Sequence, residues 1–122
     1  MIADHVASTP SPGESDRWRY FTSRQVREAI AWAKDGGIAV HENIYPSRGR
    51  RTAHLLGPDE ATLVAAARSI GCRASWIQRT RTLHFDLVED ALAAGLRRCG
   101  VDPRVAPGVL KAVRRSGGQA VG

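Results

Sequence analysis

The segment Thr82–Leu87, TLHFDL, alternates strictly between polar and apolar residues. Alternate side chains of a β-strand point to opposite faces, so its three apolar residues are predicted to enter a core. His84 and Asp86 then share the other face, with α-carbons roughly 6.5–7 Å apart. We therefore expect a sheet that has one apolar face and one face bearing this polar pair.

Three helices are predicted around this strand. The first spans about Arg24–Lys34, because Thr22 and Gln25 have the spacing of a capping box and two glycines follow it. The second, Asp59–Ile70, follows a Gly-Pro pair and carries acidic residues in its first turn, where the helix dipole favours them. The third spans about Val88–Arg98 and ends before a glycine.

Three further segments are rich in residues that favour strands, namely Ile38–Glu42, Thr52–Leu56 and Cys72–Gln78. The predicted order is α-β-β-α-β-β-α, with room for a terminal strand at Val101. The fold class that accommodates this order is α+β, a small two-layer sandwich of three helices packed on a mostly antiparallel sheet of about four strands.

The chain has 122 residues, enough for one modest core. We predict a single domain over residues 17–104, a disordered N-terminal tail over 1–16, and a C-terminal tail over 105–122 that is partly helical or disordered. Three aromatic residues just before the first helix are expected to anchor it to the core. No apolar run is long enough to span a membrane, so a cytoplasmic protein is expected. Cys72 and Cys99 have neither zinc nor disulfide spacing and are interpreted as buried reduced thiols.

The chain is basic, with a formal charge of +6, and 16 of its 18 basic residues are arginine. Arginine binds phosphate and carboxylate through a planar fork of donors, so an anionic partner is expected. Arg50 and Arg51, in a loop with Gly49, and Arg79 after a strand are candidate ligands for an anionic group. The alternative is that they are simply solvated.

Between Ile38 and Val101 the sequence resembles a small uncharacterised family of bacteria and phages. The resemblance rests on IAVHEN, SRGRRTAHLL, PDEATLVAAARSIG, SWIQ, LHFDL and EDALAAGLRRCG, which match the family's motifs in order and approximate spacing. Two residues depart from its pattern: Glu42 stands where Asp is usual, and Phe85 where tyrosine is usual. The resemblance supports the same candidate residues and implies no particular activity.

A histidine-centred site is predicted from His54, His84 and Asp86. Imidazole and carboxylate groups at this separation can share one substrate proton, or bind one divalent metal ion as a cofactor. His41 and Glu42 are further candidates at the end of the first predicted strand. By the period of two they point to opposite faces, so at most one of them faces the site.

Ordinary structural roles compete with this interpretation. Asp86 and Glu89 have capping-box spacing, so Asp86 is equally a candidate cap of the last helix. Trp76 and Gln78 share a face if their segment is a strand. They are candidate walls for a planar ligand, although a tryptophan in a strand more often belongs to the core.

Two functions follow. The first is an enzyme-like domain that acts by general acid-base or metal-assisted chemistry on an anionic small molecule, for which a nucleotide is one candidate. The second is a non-catalytic nucleic-acid-binding module that uses the arginine-rich loop. Phosphate-binding Gly-Lys-Ser loops, nucleophile elbows, His-Glu-x-x-His and dinucleotide motifs are missing from the sequence. Neither the reaction nor the oligomeric state follows from the sequence.

Overall fold

The computed structural model describes residues 17–43 and 50–105. The N-terminal tail predicted over 1–16, residues 44–49 of the arginine-rich loop, and all of the predicted C-terminal tail except residue 105 lie outside these ranges. The elements are β1 (Trp18–Phe21), α1 (Val26–Lys34), β2 (Ile38–Glu42), β3 (Thr52–Leu56), α2 (Glu60–Ser69), a 3₁₀ turn (Ala74–Trp76), β4 (Gln78–Arg79), β5 (Leu83–Val88) and α3 (Glu89–Arg98). The α+β class is confirmed. None of these helices is long and apolar enough to cross a membrane.

The five strands form one sheet in the order β1-β2-β3-β5-β4. β1 and β2 are parallel and are joined through α1, whereas the other neighbours are antiparallel. The sheet is therefore mostly antiparallel, as predicted, with one strand more than expected.

One face of the sheet packs against α2 and α3. Phe85 and Leu87 of β5 are fully buried there, which confirms the direction predicted from the alternation. They join Leu63 of α2 and Leu96 of α3 in the larger core cluster. Burying each such side chain stabilises the fold by about 1.5–3 kcal/mol, so this face fixes which side of β5 meets solvent.

The opposite face is covered only in part by the described helices. Ala29 and Ala33 of α1 pack there on Phe21, Ala39 and Leu56 in a second, smaller cluster. The prediction of two layers is therefore incomplete, because α1 adds a layer on this side. The half of this face formed by β3 and β5 is left to polar side chains, and it carries the predicted site.

One strand was missed and two local predictions were wrong. The aromatic residues before α1 are buried, as expected of an anchor to the core, but they also form a strand that was not predicted, β1, because pairing with β2 satisfies their backbone groups. The strand predicted over Cys72–Gln78 begins only at Gln78, because a 3₁₀ turn occupies Ala74–Trp76. Val101 is buried in the core but lies outside the strands.

Asp86 is not the cap of the last helix, so this structural interpretation was also wrong. β5 continues to Val88, which is the N-cap residue of α3 and makes no side-chain capping bond. The chain enters α3 without a loop, and Glu89 at the junction has a φ of 49°. Asp86 lies two residues before the cap, inside the strand, and its carboxylate is free for other contacts.

A matched pair of substitutions tests this assignment. Asp59→Ala is expected to lower the free energy of unfolding by about 1 kcal/mol, because the Asp59 side chain accepts a hydrogen bond from the Thr62 N–H at 2.8 Å and caps α2. Asp86→Ala is expected to change it by less than about 0.5 kcal/mol. Urea unfolding at pH 7.5 measures both. An equal loss in the two variants would show that Asp86 stabilises a helix end after all.

Candidate functional site

The polar half of the sheet holds a group of side chains from four strands. His41 of β2 pairs with His54 of β3, and His54 pairs with Asp86 of β5. One position along, His84 of β5 pairs with Gln78 of β4. Directly paired residues point to the same face with close Cβ atoms. The register therefore brings these five side chains together.

The three predicted site residues are in contact. Asp86 Oδ1 lies 3.3 Å from His84 Nε2 and 3.5 Å from His54 Nε2. The rings of His54 and His84 have centroids 4.7 Å apart. One ligand atom from each residue lies within 4.8 Å of the others, which makes the trio a geometrically possible metal site. The trio faces solvent, because the Asp86 side chain is 51 % exposed.

Backbone carbonyls orient two of the histidines. His84 Nδ1 lies 2.9 Å from the Thr82 carbonyl oxygen, and His41 Nε2 lies 3.2 Å from the Ser23 carbonyl oxygen. A carbonyl oxygen only accepts, so each of these nitrogens carries the proton. In a neutral His84 ring, Nε2 is then a bare acceptor, and it faces the carboxylate of Asp86.

Burial favours the neutral form of two histidines. It lowers the pKa of His54, with the nearby positive form of His84 adding to the effect and Asp86 opposing it. Burial also lowers the pKa of His41, against the raising effect of its bond to Ser23. A neutral imidazole at pH 7 is able to accept a proton or bind a metal ion.

A groove of about 470 Å³ adjoins the trio at the edge of β5. Its lining includes Trp76, Gln78, Asp86 and Val88. Trp76 is 50 % exposed, so it does not belong to the core, and its indole is available to a ligand. β4 pairs only with Leu83 and His84, so the edge of β5 from Asp86 onward borders the groove.

The structure places the three candidate arginines away from the trio. Arg51 forms an ion pair with Glu42 at 2.9 Å, and Arg50 is paired with Glu89. Arg79 forms an ion pair at 2.7 Å with the glutamate that begins α2. Their pairing partners lie on the α2 and α3 side of the sheet or at its rim. These three arginines, all within the described part of the chain, therefore do not supply positive charge to the trio.

Glu42 also lies apart from the site, on the helix-covered face. It accepts hydrogen bonds from the Tyr20 hydroxyl at 2.9 Å and from Arg51. His41 is therefore the residue of this pair that faces the site, with a ring centroid 6.1 Å from that of His54. The opposite orientation of His41 and Glu42 follows from the period of two.

Sequence reasoning missed two groups at the site. The Thr82 carbonyl orients His84. The only signal for this contact in the sequence is that Thr82 lies two residues before His84. Glu89 and Asp90 line the groove, which gives it acidic walls. That they line the same groove as Trp76 depends on tertiary structure and has no local signature in the sequence.

The comparisons with known proteins add no family. No protein-family model, curated protein or solved structure matches the chain. The functional argument therefore depends on the chemistry of the site itself.

Proposed function

We propose that this protein is a small enzyme whose pocket, centred on His54, His84 and Asp86, acts by general acid-base or metal-assisted chemistry on a small molecule with an anionic group. One observation carries the proposal. The Asp86 oxygen that contacts both imidazoles belongs to a residue that also lines the adjoining groove. A molecule seated against Trp76 therefore has its reactive atoms next to two imidazoles and a carboxylate.

The groove supports a planar ligand group. An exposed indole offers a stacking surface, and the amide of Gln78 offers both a donor and acceptors beside it. Asp90 in the groove wall disfavours an anionic group there, whereas Glu89 is paired with Arg50. We therefore place the anionic group at the trio, beside an imidazolium or a cation. A nucleotide combines a planar base with a phosphate, which makes nucleotides the first substrates to test.

Nucleic-acid binding as the sole function has less support. In the described ranges, Arg51, Arg79 and Arg104 are paired with carboxylates. Arg19 and Arg98 lie over aromatic rings. The excess positive charge is thus less available to phosphates than the composition suggests.

Two other expectations remain predictions that accompany this proposal. The first is the resemblance to the bacterial and phage family, whose motifs include the residues of the trio together with Trp76 and Gln78. A cytoplasmic location agrees with Cys72 and Cys99, which are both free and buried.

Fragment binding followed by ¹H–¹⁵N NMR tests the location of the pocket. Nucleobases, nucleoside monophosphates and simple phosphate esters are expected to shift the Trp76 indole and Gln78 amide signals. Trp76→Ala is expected to weaken base-containing fragments about tenfold, because stacking on an aromatic side chain contributes about 1–3 kcal/mol. Arg68→Ala, on the exposed side of α2, is the matched control and leaves binding unchanged. Fragments that collect instead at the groove between Phe21 and Trp32 contradict the proposal.

Turnover of the bound class is the second measurement. His54→Ala is expected to lower kcat by about 10²–10⁴, the usual contribution of general acid-base catalysis. Arg68→Ala again keeps the wild-type rate. A compound that is converted equally fast by wild type and His54→Ala places the chemistry elsewhere.

A further inference from the structure

The contact between His84 and Asp86 joins two acceptors when the His84 ring is neutral. His84 donates its Nδ1 proton to Thr82, so in the neutral ring Nε2 has only a lone pair to offer to the Asp86 oxygen at 3.3 Å. His54 Nε2 approaches the same oxygen at 3.5 Å. A carboxylate oxygen and an imidazole lone pair repel one another unless a positive centre lies between them.

A metal ion supplies such a centre for both contacts at once. Protons satisfy the contacts separately: His54 Nε2 carries a proton in one neutral tautomer, whereas His84 has to be an imidazolium, and its ring centroid lies 4.7 Å from that of His54. A single divalent ion between the three ligand atoms neutralises the contacts together. The carbonyl bond to His84 Nδ1 has the form in which proteins orient a metal-binding imidazole, with Nε2 directed at the ion.

The spacing fits a small transition-metal ion. Ligand atoms at about 2.0–2.1 Å from a tetrahedral Zn²⁺ lie about 3.3–3.4 Å from one another. The distances from Asp86 Oδ1 to the two imidazole nitrogens, 3.3 and 3.5 Å, are close to this edge length. The ligand atoms of the trio all lie within 4.8 Å of one another.

We propose that His54 Nε2, His84 Nε2 and one Asp86 carboxylate oxygen bind a divalent first-row transition-metal ion such as Zn²⁺ or Co²⁺. This inference takes the metal-assisted branch of the proposed function and rests on it. Two imidazoles favour these ions over Mg²⁺ and Ca²⁺, which prefer oxygen ligands.

The ion has at least one coordination position open. The chain supplies three ligands, and Asp86 is half exposed beside the groove. Three protein ligands with an open position are the arrangement of catalytic rather than structural zinc sites. That position is where the anionic group of a substrate, or a water molecule, would bind. His41 remains bonded to Ser23 and stays outside the ligand set.

Metal titration of the full chain tests the proposal. After dialysis against a chelator, one Zn²⁺ or Co²⁺ ion is expected to bind per chain. Calorimetry measures the binding of both ions, and visible absorption also measures that of Co²⁺. Mg²⁺ is expected not to compete. His54→Ala and His84→Ala are each expected to weaken binding at least about 100-fold, and Asp86→Asn at least about tenfold. The matched control is His5→Ala. It removes the one histidine other than His41 that is not among the proposed ligands, and it leaves the affinity unchanged.

A measurement on the wild-type chain avoids dependence on the folding of variants. Long-range ¹H–¹⁵N spectra report the protonation of each ring nitrogen. Addition of Zn²⁺ is expected to shift Nε2 of His54 and His84, with the Nδ1 proton of His84 retained and His41 unchanged. Three results overturn the proposal: no binding tighter than about 10 µM, binding that both histidine variants retain, or imidazolium rings at pH 7 that Zn²⁺ leaves unaltered.

The outcomes separate this proposal from the broader one. If Zn²⁺ does not bind but fragments occupy the groove and His54→Ala abolishes turnover, the metal is refuted and acid-base catalysis stands. If Zn²⁺ binds to the trio but fragments collect elsewhere, the metal site stands and the proposed pocket is refuted.

Discussion

Glu42→Ala is expected to lower the free energy of unfolding by about 3–5 kcal/mol, because it leaves a partly buried guanidinium without its counter-charge. The side chain of Glu42 is 5 % exposed and that of its partner Arg51 is 18 % exposed. Arg51 donates to both carboxylate oxygens at 2.9 Å, and the Tyr20 hydroxyl donates to one of them, also at 2.9 Å. Urea unfolding with a constant m-value measures the loss.

Two variants provide the scale for this result. Tyr20→Phe removes one hydrogen bond to the carboxylate and is expected to cost less, about 1.5–3 kcal/mol. Glu60→Ala removes an ion pair with Arg79 that also has two hydrogen bonds but lies at the surface. It is expected to have little measurable effect on the free energy of unfolding. If Glu42→Ala costs no more than Glu60→Ala, the pair is solvated and does not organise the fold.

The same network connects the core to the site. Arg51 also donates to the carbonyl oxygens of Pro103 and Val105, at 3.1 and 2.8 Å, and so ties the segment after α3 to the entrance of β3. β3 begins at the next residue, and His54 follows two positions later. Glu42 and Arg51 thus hold the strand that carries His54 while lying on the other side of the sheet.

Local patterns in the sequence were enough to predict the strand that carries His84 and Asp86. The alternation in β5 is strict, so burial of its apolar residues fixes the direction of the other side chains. The helices followed from apolar stripes and end signals. β1 was missed because four residues contain too little periodicity, and its place in the sheet depends on pairing with β2, which is 17 or more residues away in sequence.

The meeting of His54 with Asp86 required information that local patterns do not contain. Their contact depends on the register between β3 and β5, which α2 and the 3₁₀ turn separate along the chain. A slip of one residue would turn His54 into the core. Capping-box spacing at Asp86 and Glu89 misled for a related reason: the spacing is local, whereas pairing with β3 extends β5 to Val88 and delays the start of α3.

Zn²⁺ affinity is expected to fall by about 100-fold or more between pH 7.5 and pH 5.0, because both imidazoles have to be deprotonated to bind a metal ion. The affinity falls as the pH falls because protons and the metal ion compete for the same nitrogens, and protons occupy these nitrogens below the imidazole pKa. Burial and the positive forms of His84 and His41 lower the pKa of His54, against the opposing effect of Asp86. Protons therefore compete less well with the metal ion at His54. The loss of Zn²⁺ affinity that is due to His54 is expected at pH values below about 6.5, the ordinary pKa of histidine.

Calorimetry in buffers of different ionisation enthalpy counts the protons released. Wild type is expected to release more protons per Zn²⁺ at pH 5.5 than at pH 7.5, because ligand nitrogens that carry a proton at the lower pH have to lose it on binding. His5→Ala keeps the wild-type count. Affinity that is constant from pH 5.0 to pH 7.5 would contradict binding through these two imidazoles, because metal binding would then displace no protons.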